Sequence, residues 1–227
     1  MIRRKNNQIQ SPIVKLYNKE LDKYIVLIGT CHVGKPEYFK TLTEKINNFE
    51  ENNYKILYEK VMGESENIKI EDDQFENLNN TIANLCQLMN LQFQAEGLQY
   101  KDSWINTDLT TAQLEKLLKD NSISVFSSKS MDLSKYNQNV LKWIVRKCFG
   151  LMAFAEKFDR IKSIFSKKYK VLINYRNEIA VEGIKKYIEN NNVVSIWGAG
   201  HIDGIIKLLE KEGFVIKDKE WITYFNV

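Results

Sequence analysis

The sequence predicts an α/β protein with a mixed, largely parallel central sheet, built from two related β-α units, flanked by helices and carrying a helical insertion. Three observations lead there. Short apolar runs rich in β-branched residues, at 24–28, 55–61 and 193–197, alternate with stretches of helical periodicity. Two of these runs end in a glycine-containing turn that delivers a histidine and then a helix. With 44% hydrophobic and 27% charged residues, ten glycines and two prolines in 227 residues, the chain has the material for one core and little for linkers. A single domain over 1–227 is therefore expected.

Taken in order, Tyr24-Ile25-Val26-Leu27-Ile28 reads as a buried strand stopped by Gly29. Pro36 and Glu37 open a helix with Phe39, Leu42, Ile46 and Phe49 on one face, and 55–61 forms a second strand. The segment 24–61 is thus a β-α-β unit, which favours a parallel pair with a right-handed crossover. A polar loop follows at 63–74, including Glu64 and Glu66, then an amphipathic helix marked by Leu78, Ile82, Leu85, Leu88 and Met89. A short strand at 104–108 precedes a helix over 112–118 capped by Thr110 or Thr111. Residues 127–169 form the helical insertion, and another helix covers 171–189. The carboxyl-terminal part repeats the opening, with a strand at 193–197, a glycine turn, a helix through Ile205, Leu208 and Leu209, and Gly213 as its cap. One or two further strands, 214–216 and 221–225, complete the chain.

The two histidines, His32 and His201, carry the chemical argument. Each sits three places after a glycine at a strand end, in Gly29-Thr30-Cys31-His32 and Gly198-Ala199-Gly200-His201, and each has a glycine two or three places behind it, Gly34 and Gly204. In an open α/β sheet ligands collect at the carboxyl ends of the strands, and a glycine there leaves room for a substrate or ion. Glu59 ends the second strand at the same edge. A carboxylate in that position is costly unless paired or metal-bound. Two imidazoles and one carboxylate, His32, His201 and Glu59, make a recurring divalent-ion set that acidifies bound water and polarises a carbonyl. Without an ion, His32 is a candidate general base oriented by Glu59. The competing readings are a satisfied polar contact for each histidine and a surface salt bridge for Glu59. Cys31 points away from its neighbour in an extended segment, which argues against a thiol nucleophile. Gly198-Ala199-Gly200 lacks the remainder of a dinucleotide loop. Arg176 and Asn177 open a helix and offer a fixed guanidinium for a substrate carboxylate or Glu59, and Asp108 reads as a turn acid or a functional group.

The excess of 33 basic over 29 acidic residues is diffuse, and no basic run is interleaved with aromatics, so nucleic acid is not implied. No stretch reaches the roughly 20 apolar residues of a membrane span. Three widely spaced cysteines, Cys31, Cys86 and Cys148, argue for a reducing compartment, and the polar amino terminus is not a secretory signal. A cytoplasmic protein is expected. The long amphipathic helices are compatible with a homodimer.

At these residues the chain resembles the TraB/PrgY/GumN/Tiki superfamily, with the ChaN-like and erythromycin-esterase-like proteins as more distant relatives. The family pattern of two G-x-x-H motifs and a strand-ending glutamate is matched by Gly29 to His32, Glu59 and Gly198 to His201. Its helix motif is matched by Arg176-Asn177-Glu178-Ile179-Ala180, and its A-D-[LM]-[ST] segment is approximated by Thr107-Asp108-Leu109-Thr110. The resemblance implies a metal-dependent hydrolase of peptide or amide bonds. His32, Glu59 and His201 would hold manganese, cobalt or zinc, and Arg176 would act with them. Gly29, Gly198, Asn177 and Asp108 would contact the substrate. It also implies an alternative, a binding-only protein that sequesters a peptide or small molecule in the same cleft. Unlike Tiki and PrgY members, this chain shows neither secretion signal nor membrane helix in its sequence.

Overall fold

The structure, a computed structural model, describes residues 1–60, 86–121, 137–140, 142 and 167–227. The expected polar loop at 63–74 and most of the expected helical insertion at 127–169 lie outside the described residues, as does the start of the helix at 78.

Among the described residues a mixed seven-stranded sheet organises the fold. Its central strands are β3 (Lys23–Thr30), β8 (Val193–Gly198), β5 (Lys55–Tyr58) and β7 (Ile105–Asn106), adjacent in that order and all parallel. An antiparallel wing of β1 (Arg3–Lys5), β2 (Gln8–Asn18) and β9 (Val215–Asn226) extends it beyond β3. A two-stranded ribbon of β4 (Val33–Gly34) and β6 (Gln92–Phe93) stands apart. The helices among the described residues include α1 (Pro36–Glu51), α2 (Gln94–Gly97), α3 (Thr111–Asp120), α4 (Lys167–Ile188) and α5 (Ile202–Lys211).

The helices follow from local chemistry. Pro36 opens α1, where its missing N–H costs nothing, and Tyr38, Phe39, Leu42 and Ile46 form its buried stripe. Thr110 caps α3 through a reciprocal box with Gln113, which resolves the choice between Thr110 and Thr111. α5 buries Ile202, Ile205, Ile206 and Leu209, and Gly213 at φ +83 turns the chain into β9, a conformation few other residues adopt.

The sheet separates two cores. On one face α1 covers Val26, Ile28, Ile56, Val194 and Ile196; on the other α4 and α5 cover Ile25, Leu27, Leu57, Val193 and Trp197. Continuous burial of β3 and β8 explains why these strands read as unbroken apolar runs.

Three expectations change. β3 and β5 are parallel but not neighbours, because β8 is inserted between them. The one or two short terminal strands are a single twelve-residue strand, kinked against β2 by two register shifts. Arg176 and Asn177 lie within α4 rather than at its start. The insertion of β8 matters for function, since it lines up the ends of β3, β8 and β5 along one carboxyl-terminal edge.

Candidate functional site

Parallel register fixes that edge. Thr30 pairs with Gly198, and Tyr58 pairs with Ile196. The next peptides continue the ladder, with the Ala199 N–H donating to the Thr30 carbonyl at 2.7 Å and the Glu59 N–H to the Ile196 carbonyl at 2.9 Å. Glu59 therefore emerges beside Gly198, on the face covered by α4.

Arg176, on α4, meets two carboxylates there. Its Nη2 donates to Glu59 Oε1 at 2.5 Å and to Asp108 Oδ2 at 2.6 Å, and its Nε donates to Asp108 Oδ1 at 3.1 Å. Glu59 Oε2 accepts from the Gly198 N–H at 2.5 Å. A Cβ on Gly198 would lie 3.3 Å from that same oxygen, a tight contact that would push the carboxylate by a few tenths of an ångström. Asp108's side chain is fully buried, and those of Glu59, Arg176 and His201 are exposed by only 13, 14 and 7%. Against the cost of burial, the bonds to Asp108 and the charge of Glu59 push the Arg176 pKa up.

His201 sits at the entrance of α5. Its Nδ1 lies 2.7 Å from Asn177 Oδ1, and its ring packs edge-on against Trp197 with centroids 5.3 Å apart. A carbonyl oxygen can only accept, so Nδ1 carries the hydrogen and Nε2 holds a lone pair. That lone pair faces Glu59 Oε1 at 3.9 Å. Burial pushes the imidazole pKa below 6.5; Glu59 opposes the shift and Arg176 adds to it. His201 is accordingly neutral at pH 7, and two carboxylates set against one guanidinium leave the cluster with an excess negative charge.

Trp197 also lies under the Arg176 guanidinium, 5.7 Å from Cζ to ring centroid. Its Nε1 and the Thr107 hydroxyl, flanking Glu59 on the neighbouring strands, are buried without a hydrogen-bond partner among the described residues. An unsatisfied buried group of this kind costs about 1–3 kcal/mol. The N-terminal ammonium donates to the Ala199 carbonyl and pairs with Asp203 at 3.4 Å, on the same turn as His201.

The structure thus brings together Glu59, Asp108, Arg176, Asn177, Gly198 and His201. Asp108, which from the sequence reads first as a turn acid, is the buried partner of Arg176. Nothing in the sequence distinguishes the two, since depth depends on where α4 docks. His32 is placed differently. It lies at the same sheet edge but is exposed, because the chain leaves the sheet there to form the ribbon of β4 and β6; its carbonyl accepts from the Gln94 N–H at 2.8 Å. Among the described residues no hydrogen bond or ion pair joins its imidazole to Glu59 or His201, and no three His, Cys, Asp or Glu side chains stand close enough to share an ion. The space over Gly29 is filled, since a Cβ there would meet Pro12 Cδ at 2.8 Å and Ile202 Cγ1 at 3.0 Å. Gly29 makes room for protein packing.

Tyr58 and Tyr100, with ring centroids 4.9 Å apart, lie next to Glu59 in sequence or in field, and Gln94 donates to the Tyr100 hydroxyl at 3.0 Å. This aromatic flank was not singled out from the sequence, because Tyr100 lies in a loop without periodicity.

Fold and cluster together define a class: an α/β protein with a buried acid–guanidinium–imidazole cluster at the carboxyl edge of its parallel strands. Comparison with protein-family models, with curated proteins and with solved structures finds no match in any of the three. Among the described residues no helix is long and apolar enough to cross a membrane.

Proposed function

We propose that this chain is a hydrolase of peptide or amide bonds, a distant relative of the TraB/PrgY/GumN/Tiki superfamily, acting in the cytoplasm with a divalent ion of the manganese, cobalt or zinc type. The observation that carries this reading is the opposition of two acceptors. His201 Nε2 and Glu59 Oε1 face each other across 3.9 Å, in a cluster with an excess negative charge. Two acceptors so placed repel unless a proton, a donor or a cation lies between them. A neutral imidazole nitrogen and a carboxylate oxygen suit such an ion. His201 and Glu59 would hold it with solvent completing the shell, while His32 stands exposed at the same sheet edge without joining them. Bound there, the ion supplies an acidified water and a polarised carbonyl. Arg176 and the Gly198 N–H hold Glu59 in one orientation, and Asp108 holds Arg176.

A second reading has its own support. Both Glu59 oxygens already accept hydrogen bonds, from Arg176 and from Gly198, which favours a rigid binding site over a mobile general base. On that reading the same cluster sequesters a peptide or small molecule without turnover.

Incubation of the purified protein with a peptide library and each of the three metals tests both. Cleavage that disappears in Glu59→Gln and His201→Ala, together with loss of bound metal, supports the hydrolase. Saturable binding of intact peptide supports the binder. Metal content and ligand binding unchanged in both variants would refute the shared site altogether.

A further inference from the structure

We propose that Asn177 and Gly204 are the positioning residues of His201: the Asn177 carbonyl locks the imidazole in the Nδ1–H form, and Gly204 keeps open the space that its carboxamide occupies. The consequence for turnover rests on the proposed role of His201; the tautomer does not.

The bond is buried and short. Asn177 is 4% and His201 5% exposed, and Oδ1 stands 2.7 Å from Nδ1. With Nδ1 fixed as donor, Nε2 is the only ring atom able to accept a proton or ligate, and it is the one turned to Glu59. Packing confines the carboxamide on its other side. Asn177 Nδ2 presses on the first turn of α5, where a Cβ on Gly204 would lie 2.1 Å from Nδ2 and 2.9 Å from Cγ. A real side chain never approaches that closely, so any residue other than glycine displaces the carboxamide.

Gly204 has negative φ and sits inside a helix, where alanine is ordinarily preferred. Its glycine is therefore accounted for by Asn177 and not by backbone conformation. Gly200, one residue before His201, provides the contrast: a Cβ there meets nothing within 4 Å. Two adjacent residues of α4 thus divide the work, with Arg176 holding Glu59 and Asn177 holding His201.

The chain contains only two histidines, one exposed and one buried, so its imidazole nitrogen spectrum is readable directly. Long-range proton–nitrogen correlation of protein labelled at histidine, recorded without metal or substrate, reports each tautomer. Wild type should show His201 as Nδ1–H. Gly204→Ala and Asn177→Ala should each lower the ratio of Nδ1–H to Nε2–H by about tenfold, the worth of one buried hydrogen bond, whereas Gly200→Ala should leave it unchanged. Asn177→Asp retains an acceptor, so it should preserve the tautomer. A purely space-filling Asn177 would make the Asp and Ala variants alike. If Gly204→Ala fails to fold, Asn177→Ala, which adds no volume, decides. An Nε2–H form in wild type, or an unaltered tautomer in Asn177→Ala, overturns the proposal. A locked tautomer in a protein that binds no ion and cleaves no peptide would sink the proposed function and leave this inference standing.

Discussion

Glu59 Oε1 and His201 Nε2 confront each other across 3.9 Å at adjacent strand ends, each held from behind by a residue of α4. The arrangement exists because β8 lies between β3 and β5, so that a residue from the last third of the chain meets the end of a strand from its first third. Its consequences are open to measurement.

Replacing Glu59 by Gln keeps the shape and removes one charge from the cluster. The excess negative charge disappears, and with it the attraction for a cation. Divalent-ion affinity, followed by isothermal titration, should fall at least 100-fold, beyond the roughly 10–100-fold losses seen when only an outer partner is removed. Unchanged affinity would place the ion elsewhere.

Asp108→Ala removes the wholly buried carboxylate that takes two of the three Arg176 bonds. The guanidinium remains half-paired in a dry site, a situation that costs about 3–5 kcal/mol. Urea unfolding should show a loss near the lower end of that range, because Glu59 remains as one partner. A loss under about 1 kcal/mol would mean that Arg176 swings out to water.

Gly183 lies two turns beyond Arg176 on α4, where a Cβ would stand 2.7 Å from Thr107 Cβ. Alanine there gains about 1 kcal/mol of helix propensity but forces α4 off β7, and overpacking of this kind costs about 1–3 kcal/mol. Thr107 is tied to the Tyr58 carbonyl through its own N–H at 3.0 Å and cannot retreat freely, so overpacking wins. Gly183→Ala should lower the melting temperature, and it should weaken the Arg176 bonds that depend on the seating of α4.

Stability should depend on pH through His201. Burial holds its folded pKa below 6.5, so between the folded and unfolded values the unfolded chain binds more protons. The contribution is complete above about pH 6.5 and is lost as pH falls through the folded value. Urea midpoints of wild type should therefore decline in that window, and His201→Gln should remove that part of the decline. A midpoint that rises there would contradict a neutral, buried imidazole.

Much of this was legible in the sequence. The strands at 24–28 and 193–197 and the stripe of α1 were plain because burial on both faces, or on one helical face, leaves a periodic signature. His201, Glu59, Arg176, Asn177 and Asp108 were all singled out by residue type at strand ends and on a helix. Strand order was not legible, since parallel neighbours separated by 130 residues or more leave no local trace (Ile25 pairs with Val193). The strand β2 was missed because Gln8, Gln10, Ser11 and Pro12 break its apolar pattern, although the strand is buried between β3 and β9. The exposure of His32 was hidden for a related reason. A G-x-x-H motif does not say that the chain then leaves the sheet for a separate ribbon. Gly204 was noticed as a glycine, but its purpose becomes visible only when Asn177 arrives from another helix.

Anomalous diffraction from crystals grown with manganese or cobalt would locate a cation between His201 and Glu59. A peak about 2.0–2.3 Å from both His201 Nε2 and Glu59 Oε1 is the predicted result. Ions found only at other surface carboxylates, with those two atoms left 3.9 Å apart around water, would contradict it.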